Sequence, residues 1–306
     1  MSQTLRKAVL LLRLSRPLFL LVGALLYGLG AAIAVELGHP INIPLYLLGQ
    51  GLVTSFQLVS HFLLEYYAPP ADPIDPGRSL LSWPSGAIAP SGLARKTPLY
   101  AAVVCLGFVA SLVSLLVLEG TAPHLAWIIL LLIFLGTFFE PTPPLRLVTS
   151  GYGELADAVV MAGLLPTLGL TLQTGSLDRL LPMSTAPLIA LYLAMLMVFE
   201  LPAFASDTRN NRRTLMVRLG WSAAMRLHDL AILFAILAFI SGWLAGLPYG
   251  VALRALIVLP LALAQIWQMW RVRSGYPTQW RMLTWSSFLL FTLTAYLEVA
   301  GYLLPK

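Results

Sequence analysis

Apolar segments of membrane-spanning length recur along the whole of this chain and restrict its possible folds more than any other feature. Of the 306 residues, 58% are hydrophobic and 10% charged, and the mean hydropathy is +0.83. Only helices and closed barrels satisfy their backbone hydrogen bonds in lipid. A barrel would require short segments of alternating polarity, which this sequence lacks. The sequence therefore predicts an all-α, polytopic membrane protein.

Nine transmembrane helices are predicted from these segments. They cover residues 17–37, 43–67, 97–118, 125–139, 152–173, 185–206, 225–246, 250–270 and 281–303. The apolar run after the basic N-terminus is long and lacks a clear cleavage site, so it is expected to be the first membrane helix. No stretch between segments is long enough for a soluble domain. We therefore expect a single domain over residues 1–306.

The basic residues predict the orientation of the helices. With the N-terminus in the cytoplasm, 16 of the 19 lysines and arginines lie on the cytoplasmic side; Arg179, Arg254 and Lys306 do not. This positive-inside bias predicts an outside C-terminus and suits a bacterial plasma membrane. The net charge of +6 is therefore explained by topology. No basic face with interleaved aromatic residues indicates a nucleic-acid partner.

Two acidic pairs with one spacing are the main candidates for chemistry. Glu65 with Asp72 and Glu200 with Asp207 both follow the pattern E-x-x-A-x-x-x-D, each at the end of a membrane segment. Carboxylates at a bilayer boundary are costly unless they meet a cation, and Mg²⁺ commonly bridges carboxylates to phosphates. Arginines follow both pairs and could bind phosphate oxygens bidentately: Arg78, Arg209, Arg212 and Arg213. The pattern favours a diphosphate ligand.

Three motifs resemble those of the UbiA-type intramembrane prenyltransferases. The first is His61-Phe62-Leu63-Leu64-Glu65-Tyr66-Tyr67 followed by Asp72; the second runs from Glu200 to Asp207 and on through Arg213-Thr214-Leu215-Met216-Val217-Arg218-Leu219-Gly220. The third is Pro143-Pro144-Leu145-Arg146-Leu147 with Gly151-Tyr152-Gly153-Glu154-Leu155, and Ser85-Gly86 matches the family's loop. The resemblance covers roughly residues 10 to 300. It is closest to the branch that prenylates 1,4-dihydroxy-2-naphthoate.

This resemblance implies a UbiA-like bundle around a central cavity that opens to the cytoplasm. The enzyme would transfer an isoprenyl group from its diphosphate to an aromatic or quinone-precursor acceptor. It implies that Mg²⁺ and catalysis depend on Glu65, Asp72, Glu200 and Asp207. The implied substrate-binding residues are Arg78, Arg146, Glu154, Arg212, Arg213, Tyr66 and Tyr152.

The chain departs from the family pattern at four positions. The family places Asn before the first acid of each motif and Asp three residues after it. Here these positions hold Leu64, Ala68, Phe199 and Ala203, so each motif keeps its outer carboxylates and lacks the central one. Mg²⁺ accepts water as a ligand, so four carboxylates could still bind it. The alternative is a catalytically impaired family member that binds a prenyl lipid or acts as a scaffold.

Other features of the sequence leave further possibilities open. Asp157 and Glu298 lie within membrane segments, where acids are often functional, and a small transporter could use them as coupling groups. Gly23, Gly28 and Gly30 in the first membrane segment indicate close helix packing. Cys105 is the only cysteine, so neither a disulfide nor a cysteine metal site is expected.

Overall fold

The computed structural model describes residues 3–68, 94–209 and 212–304, and its side chains from residue 9 onward. These ranges are helical and contain no strand, which confirms the predicted all-α fold. Eight helical stretches are long and apolar enough to cross a membrane: Pro17–Glu36, Ile43–Tyr67, Thr97–Glu119, Gly153–Thr174, Leu180–Arg209, Trp221–Leu244, Tyr249–Arg273 and Trp280–Leu303. His124–Phe139 is a further apolar helix of 16 residues. Nine spans therefore remain a prediction.

The helices are numbered here in chain order. They are α1 Gln3–Leu14, α2 Pro17–Glu36, α3 Ile43–Tyr67, α4 Thr97–Glu119, α5 His124–Phe139, α6 Gly153–Ala158, α7 Leu165–Thr174, α8 Leu180–Glu200, α9 Phe204–Arg209, α10 Leu215–Leu219, α11 Trp221–Leu244, α12 Tyr249–Leu256, α13 Leu259–Arg273 and α14 Trp280–Leu303. Short 3₁₀ turns lie at Leu147–Thr149 and Leu201–Ala203.

Helix boundaries follow local chemistry where the sequence supplies a clear signal. The Asn42 side chain accepts a hydrogen bond from the Leu45 backbone N–H at 3.2 Å and so caps α3. Proline occupies the first turn of several helices, where its missing N–H costs nothing. Gly120 and Gly175 end α4 and α7 with φ angles of 64° and 74°, a backbone conformation that favours glycine.

Helices α2 and α7 are in close backbone contact. A Cβ at Gly30 would meet the carbonyl of Pro166, and one at Gly169 would meet the carbonyl of Tyr27. Small residues allow this approach, and the helices then pack backbone against backbone. Any larger side chain at residue 30 or 169 would clash with the backbone of the other helix and should therefore destabilise the bundle.

Two interruptions of helical geometry shape the end of the bundle where α3 and α8 finish. Helix α8 ends at Glu200, and a 3₁₀ turn containing Pro202 separates it from α9. Between α6 and α7, residues Val159–Leu164 form a π-helical turn. Such turns re-aim the side chains beside them and occur frequently at functional sites. Here they flank Glu200, Asp207 and Asp157.

Candidate functional site

A cavity of about 110 Å³ opens between α2, α3, α6 and α8 at this end of the bundle. Its lining contains the five carboxyl groups of Glu140, Glu154, Asp157, Glu200 and Asp207. The lining has only two guanidinium groups, those of Arg16 and Arg212. Acidic residues thus outnumber arginines in the described lining. By formal charge, the cavity favours a ligand that carries positive charge.

The cavity mouth is formed by Glu154, Glu200, Asp207 and Arg212. Arg212 Nη1 lies 3.3 Å from Asp207 Oδ1. Glu154 Oε1 accepts a hydrogen bond from the Leu215 N–H at 3.1 Å, and Glu154 adjoins Glu200. The Oε2 atoms of Glu154 and Glu200 are buried. The second acidic pair therefore does face the cavity, together with Glu154.

Glu65, the first acid of the other pair, has a different environment. Its Oε1 lies 3.3 Å from Arg16 Nη2, and the two side chains are 2% and 9% exposed. The neighbouring residue Leu64 lines the cavity, whereas Glu65 is not part of that lining. Arg16 therefore places a charge beside Glu65 that would compete with any metal ion there.

Three of the four positions where the chain departs from the family pattern line the cavity. Leu64, Phe199 and Ala203 all contribute to the lining. The fourth position, Ala68, follows the last residue of α3. The replacements therefore make part of the site itself apolar, where the resemblance implies amide and carboxylate side chains.

A second polar group, here called the polar wall, consists of Gln57, Ser60, Glu140, Asp157 and Tyr192. The Ser60 hydroxyl donates to Glu140 Oε2 at 3.0 Å, and the Tyr192 hydroxyl donates to Asp157 Oδ2 at 3.1 Å. All five side chains line the cavity. Burial, and then the nearby Asp157 carboxyl, raise the pKa of Glu140 well above its ordinary value near 4.5.

Most of the polar wall was not singled out by the sequence, nor was Arg16. Gln57, Ser60, His61 and Leu64 follow the i, i+3, i+4, i+7 spacing of one helix face, and all four line the cavity. That spacing is the available signal. The spacing is hard to recognise in the sequence because most residues of α3 are apolar.

Several residues implied by the resemblance lie outside the described lining. Arg146 donates to the Tyr67 carbonyl at 3.3 Å. Tyr152 is 51% exposed and packs under the guanidinium of Arg218 at 4.3 Å. Arg213 is exposed, and Tyr66 packs edge-on against Tyr67. Asp72 and Arg78 lie outside the described residues.

The two intramembrane acids singled out by the sequence are separated in the fold. Asp157 lines the cavity, whereas Glu298 is fully buried near the opposite end of the bundle, on the same helix as Tyr302. Tyr302 shares a hydrogen bond of 2.7 Å with Ser184. Only Asp157 is therefore placed to meet a ligand in this cavity.

The donor set at the mouth fits a hard divalent cation in its chemistry. The carboxyl groups of Glu200 and Asp207 line the cavity and offer the oxygen ligands that Mg²⁺ prefers. Within the described ranges, no group of three or more His, Cys, Asp or Glu side chains is arranged to hold a metal ion. The oxygens thus suit a cation that keeps several waters and is held partly by its substrate.

Comparison with known proteins gives the family and the fold. The sequence profile of the UbiA prenyltransferase family matches residues 89–293, more than half of the chain. No curated protein matches the sequence.

Solved structures with the same fold cover nearly the whole chain. A UbiA homologue from Archaeoglobus fulgidus bound to GPP and Mg²⁺ has a TM-score of 0.63 at 12% identity, covering 94% of this chain and 99% of its own. A digeranylgeranylglyceryl phosphate synthase gives 0.67 at 11% identity, with 97% and 98% covered. An apo UbiA homologue from Aeropyrum pernix K1 gives 0.62 at 12% identity, with 92% and 95% covered.

Proposed function

Because this chain belongs to the UbiA prenyltransferase family, we propose that it transfers an isoprenyl group from a diphosphate donor to an aromatic or quinone-precursor acceptor within the membrane. The cavity would open to the cytoplasm of a bacterial plasma membrane, with the N-terminus inside and the C-terminus outside. The observation that carries the proposal is the mouth of the cavity, where carboxylates adjoin Arg212 next to a chamber that is lined in part by apolar side chains.

The mouth supplies the two kinds of group that a diphosphate requires. Homologues of the same fold have been solved with GPP and Mg²⁺ and with DMAPP and Mg²⁺, which supports an allylic diphosphate as the donor here. Arg212 is placed to contact phosphate oxygens, and the exposed Arg213 lies next to it. Arg78 and Arg146 remain proposed donor-binding residues.

Glu200 and Asp207 would contribute oxygen ligands to Mg²⁺, together with Asp72 of the first acidic pair and with water. When bound, the ion supplies positive charge to the departing diphosphate. Glu65 has a different proposed role, because its carboxylate neutralises Arg16. That pair would hold the start of α2 against α3 and keep the cavity open.

The apolar residues of the lining would protect the reactive carbon from water. Phe19, Met161, Leu196 and Phe199 line the cavity beside the carboxylates. When the donor's carbon–oxygen bond breaks, the electron pair leaves with the diphosphate and the allylic carbon becomes cationic. Aromatic faces attract positive charge, and a chamber without bulk water lets the acceptor react before hydrolysis occurs.

A second candidate function is binding of a prenyl lipid diphosphate without turnover. The observation that favours it is the apolar character of three lining positions, Leu64, Phe199 and Ala203. A site with fewer charge-stabilising groups loses transition-state stabilisation more than it loses affinity for the lipid tail.

Release of pyrophosphate from geranyl diphosphate tests the proposed function. The purified protein would be assayed with and without Mg²⁺, using 1,4-dihydroxynaphthalene and 1,4-dihydroxy-2-naphthoate as acceptors. We expect Mg²⁺-dependent release that a Glu200→Gln/Asp207→Asn variant loses. Glu298→Gln is the matched control, since it removes a buried carboxyl away from the cavity.

Two other outcomes would change the assignment. Binding of radiolabelled geranyl diphosphate without release, under any acceptor condition, would favour the lipid-binding function. Absence of geranyl diphosphate binding with or without Mg²⁺ would overturn both functions.

A further inference from the structure

A pocket of about 150 Å³ lies on the outer surface of the bundle, where α13 ends and α14 begins. Its lining includes Trp267 and Arg271 of α13 and Met282 of α14, and it shares no residue with the lining of the central cavity. A water molecule takes up about 30 Å³ in the liquid, so this pocket has room for a polyatomic group.

Arg271 is the one charged side chain in the described lining of this pocket. Its guanidinium lies 5.0 Å from the centre of the Trp267 ring and 5.6 Å from that of Tyr276. Among the described residues no carboxylate pairs with Arg271, whereas Arg273 Nη2 lies 2.7 Å from Asp229 Oδ2. Aromatic rings attract the charge but supply no oxygen acceptor. The N–H donors of Arg271 therefore remain available to an anion.

Aromatic residues around the pocket place it at the level of the lipid headgroups. Trp267, Trp270 and Tyr276 lie at the end of α13 and are each about half exposed. Tryptophan and tyrosine are enriched at the membrane–water interface, where one side of the ring meets lipid and the other meets water. Because α11 runs away from the cavity mouth and the following span returns, the end of α13 lies at the same end of the bundle as the mouth.

Exposed apolar side chains continue from the pocket along both helices. On α13, Leu263 precedes Trp267 by four residues and is exposed. On α14, Trp285 and Leu289 follow Met282 by three and seven residues, and both are exposed. These spacings place the side chains on one face of each helix. The two faces form apolar stripes that begin at the arginine, which is the arrangement that a lipid with a charged headgroup requires.

The charges near the pocket favour an anion. From residue 215 to the C-terminus the chain has two acids, Asp229 and Glu298. Asp229 is paired with Arg273, and Glu298 is fully buried near the opposite end of the bundle. Arg281, in the first turn of α14, adds an exposed positive charge. The predicted orientation places this end at the cytoplasmic leaflet, where anionic lipids attract basic side chains.

We propose that this pocket binds the headgroup phosphate of an anionic phospholipid, and that the acyl chains of the lipid cover the stripes on α13 and α14. The planar guanidinium of Arg271 would donate two N–H groups to the phosphate oxygens. A choline headgroup fits less well, because its cation would be repelled by Arg271, which already contacts the aromatic rings. The pocket lies outside the central cavity, so its ligand is independent of the proposed function.

Native mass spectrometry of the delipidated protein in detergent tests the proposal. The probes are phosphatidylglycerol and phosphatidylcholine with the same two acyl chains, so that they differ only in the headgroup. We expect the first phosphatidylglycerol molecule to bind at least about fivefold more tightly than the first phosphatidylcholine molecule, in keeping with the contribution of one basic residue near an anionic lipid. Equal affinities, or tighter binding of phosphatidylcholine, would overturn the proposal.

Two variants locate the preference at the pocket. Arg271→Gln should bring the affinity ratio of the two lipids close to one. Arg226→Gln is the matched control, because it removes an exposed charge at the same end of the bundle and does not line the pocket; its ratio should stay within a factor of about two of wild type. Equal losses in both variants would assign the preference to net charge and refute the pocket. Unchanged thermal unfolding confirms that each variant is folded.

Competition with glycerol 3-phosphate distinguishes a lipid from a soluble phosphate. This compound carries a phosphate group but no acyl chains. We expect it to leave bound phosphatidylglycerol in place even at about hundredfold excess, because burial of the acyl chains against the two helices supplies most of the affinity. Displacement of the lipid at equal concentration would show that the pocket binds phosphate alone, and the lipid assignment would be wrong.

Discussion

Arg16 Nη2 lies 3.3 Å from Glu65 Oε1, and this buried ion pair ties the start of α2 to the end of α3. Both charges are largely removed from water. Removing one member of such a pair leaves an uncompensated buried charge, which typically costs about 3–5 kcal/mol. We expect Glu65→Gln to lower the free energy of unfolding by about 3 kcal/mol, because Arg16 also lies near the carboxyl groups of Glu140 and Asp157.

A denaturant titration in detergent measures this change. The control is Arg273→Gln, which breaks the more exposed pair of Arg273 with Asp229 and should cost about 1 kcal/mol or less. The double variant Arg16→Gln/Glu65→Gln should cost less than the sum of the single changes. An additive double variant would show that the two charges are not coupled.

The glycines of α2 predict a sharp difference between neighbouring positions. A methyl group at residue 30 would strike the backbone of Pro166, whereas one at residue 28 would approach only the Tyr46 hydroxyl, at 3.6 Å. Backbone cannot rotate away, so Gly30→Ala should destabilise the bundle by about 3 kcal/mol, and Gly28→Ala by less than about 1 kcal/mol. Thermal unfolding of the two variants in the same detergent checks the order. Equal losses would mean that α2 and α7 do not pack at Gly30.

Helix positions were largely predictable because the lengths of the apolar segments agree with the capping residues and prolines at their ends. The segment expected at 43–67 is Ile43–Tyr67 in the structure, where Asn42 and Pro44 mark its start. Helix α8 begins five residues before the expected residue 185, at Leu180. Its first turns contain Ser184 and Thr185 before the internal Pro187, a pattern that suggests a boundary. Packing in the bundle maintains the helix through it.

The site was predictable only where its parts are close in sequence. The spacing of Glu200 and Asp207 indicated a pair, and both face the cavity. The polar wall is different, because Ser60 and Glu140 are 80 residues apart and are joined only by the packing of their helices. Sequence also gave no basis for separating Asp157 from Glu298, since both are acids within apolar helices. Only the fold shows that Asp157 lines the cavity and that Glu298 is buried away from it.

Glu140 should make the free energy of unfolding decrease as pH rises. Burial raises the pKa of Glu140 above its ordinary value near 4.5, so above that pH the unfolded chain loses a proton that the folded protein retains. Stability should therefore fall as pH rises from about 4.5 through the raised pKa. Glu140→Gln has no titrating proton, so its free energy of unfolding relative to wild type should increase over this range. Denaturant titrations between pH 5 and 9 measure the difference, and a constant difference would contradict the raised pKa.

The apolar lining of the mouth leads to the last prediction, which concerns Ala203. This residue lines the cavity three positions after Glu200 and four before Asp207, so an aspartate there would add a carboxylate to the same group of oxygens. Each additional carboxylate ligand strengthens binding of a hard cation, and we expect Ala203→Asp to raise Mg²⁺ affinity about tenfold in the presence of geranyl diphosphate.

The matched control for Ala203→Asp is Ala205→Asp, because residue 205 is exposed and does not line the cavity. It adds the same charge two residues away and should leave Mg²⁺ affinity unchanged within a factor of about two, as expected for a solvated charge. Mg²⁺ titrations of geranyl diphosphate binding would compare both variants with wild type. If both substitutions raise the affinity equally, the effect is a general one of surface charge. In that case residue 203 does not belong to a metal site, and the diphosphate would depend on Arg212 and its neighbours for charge.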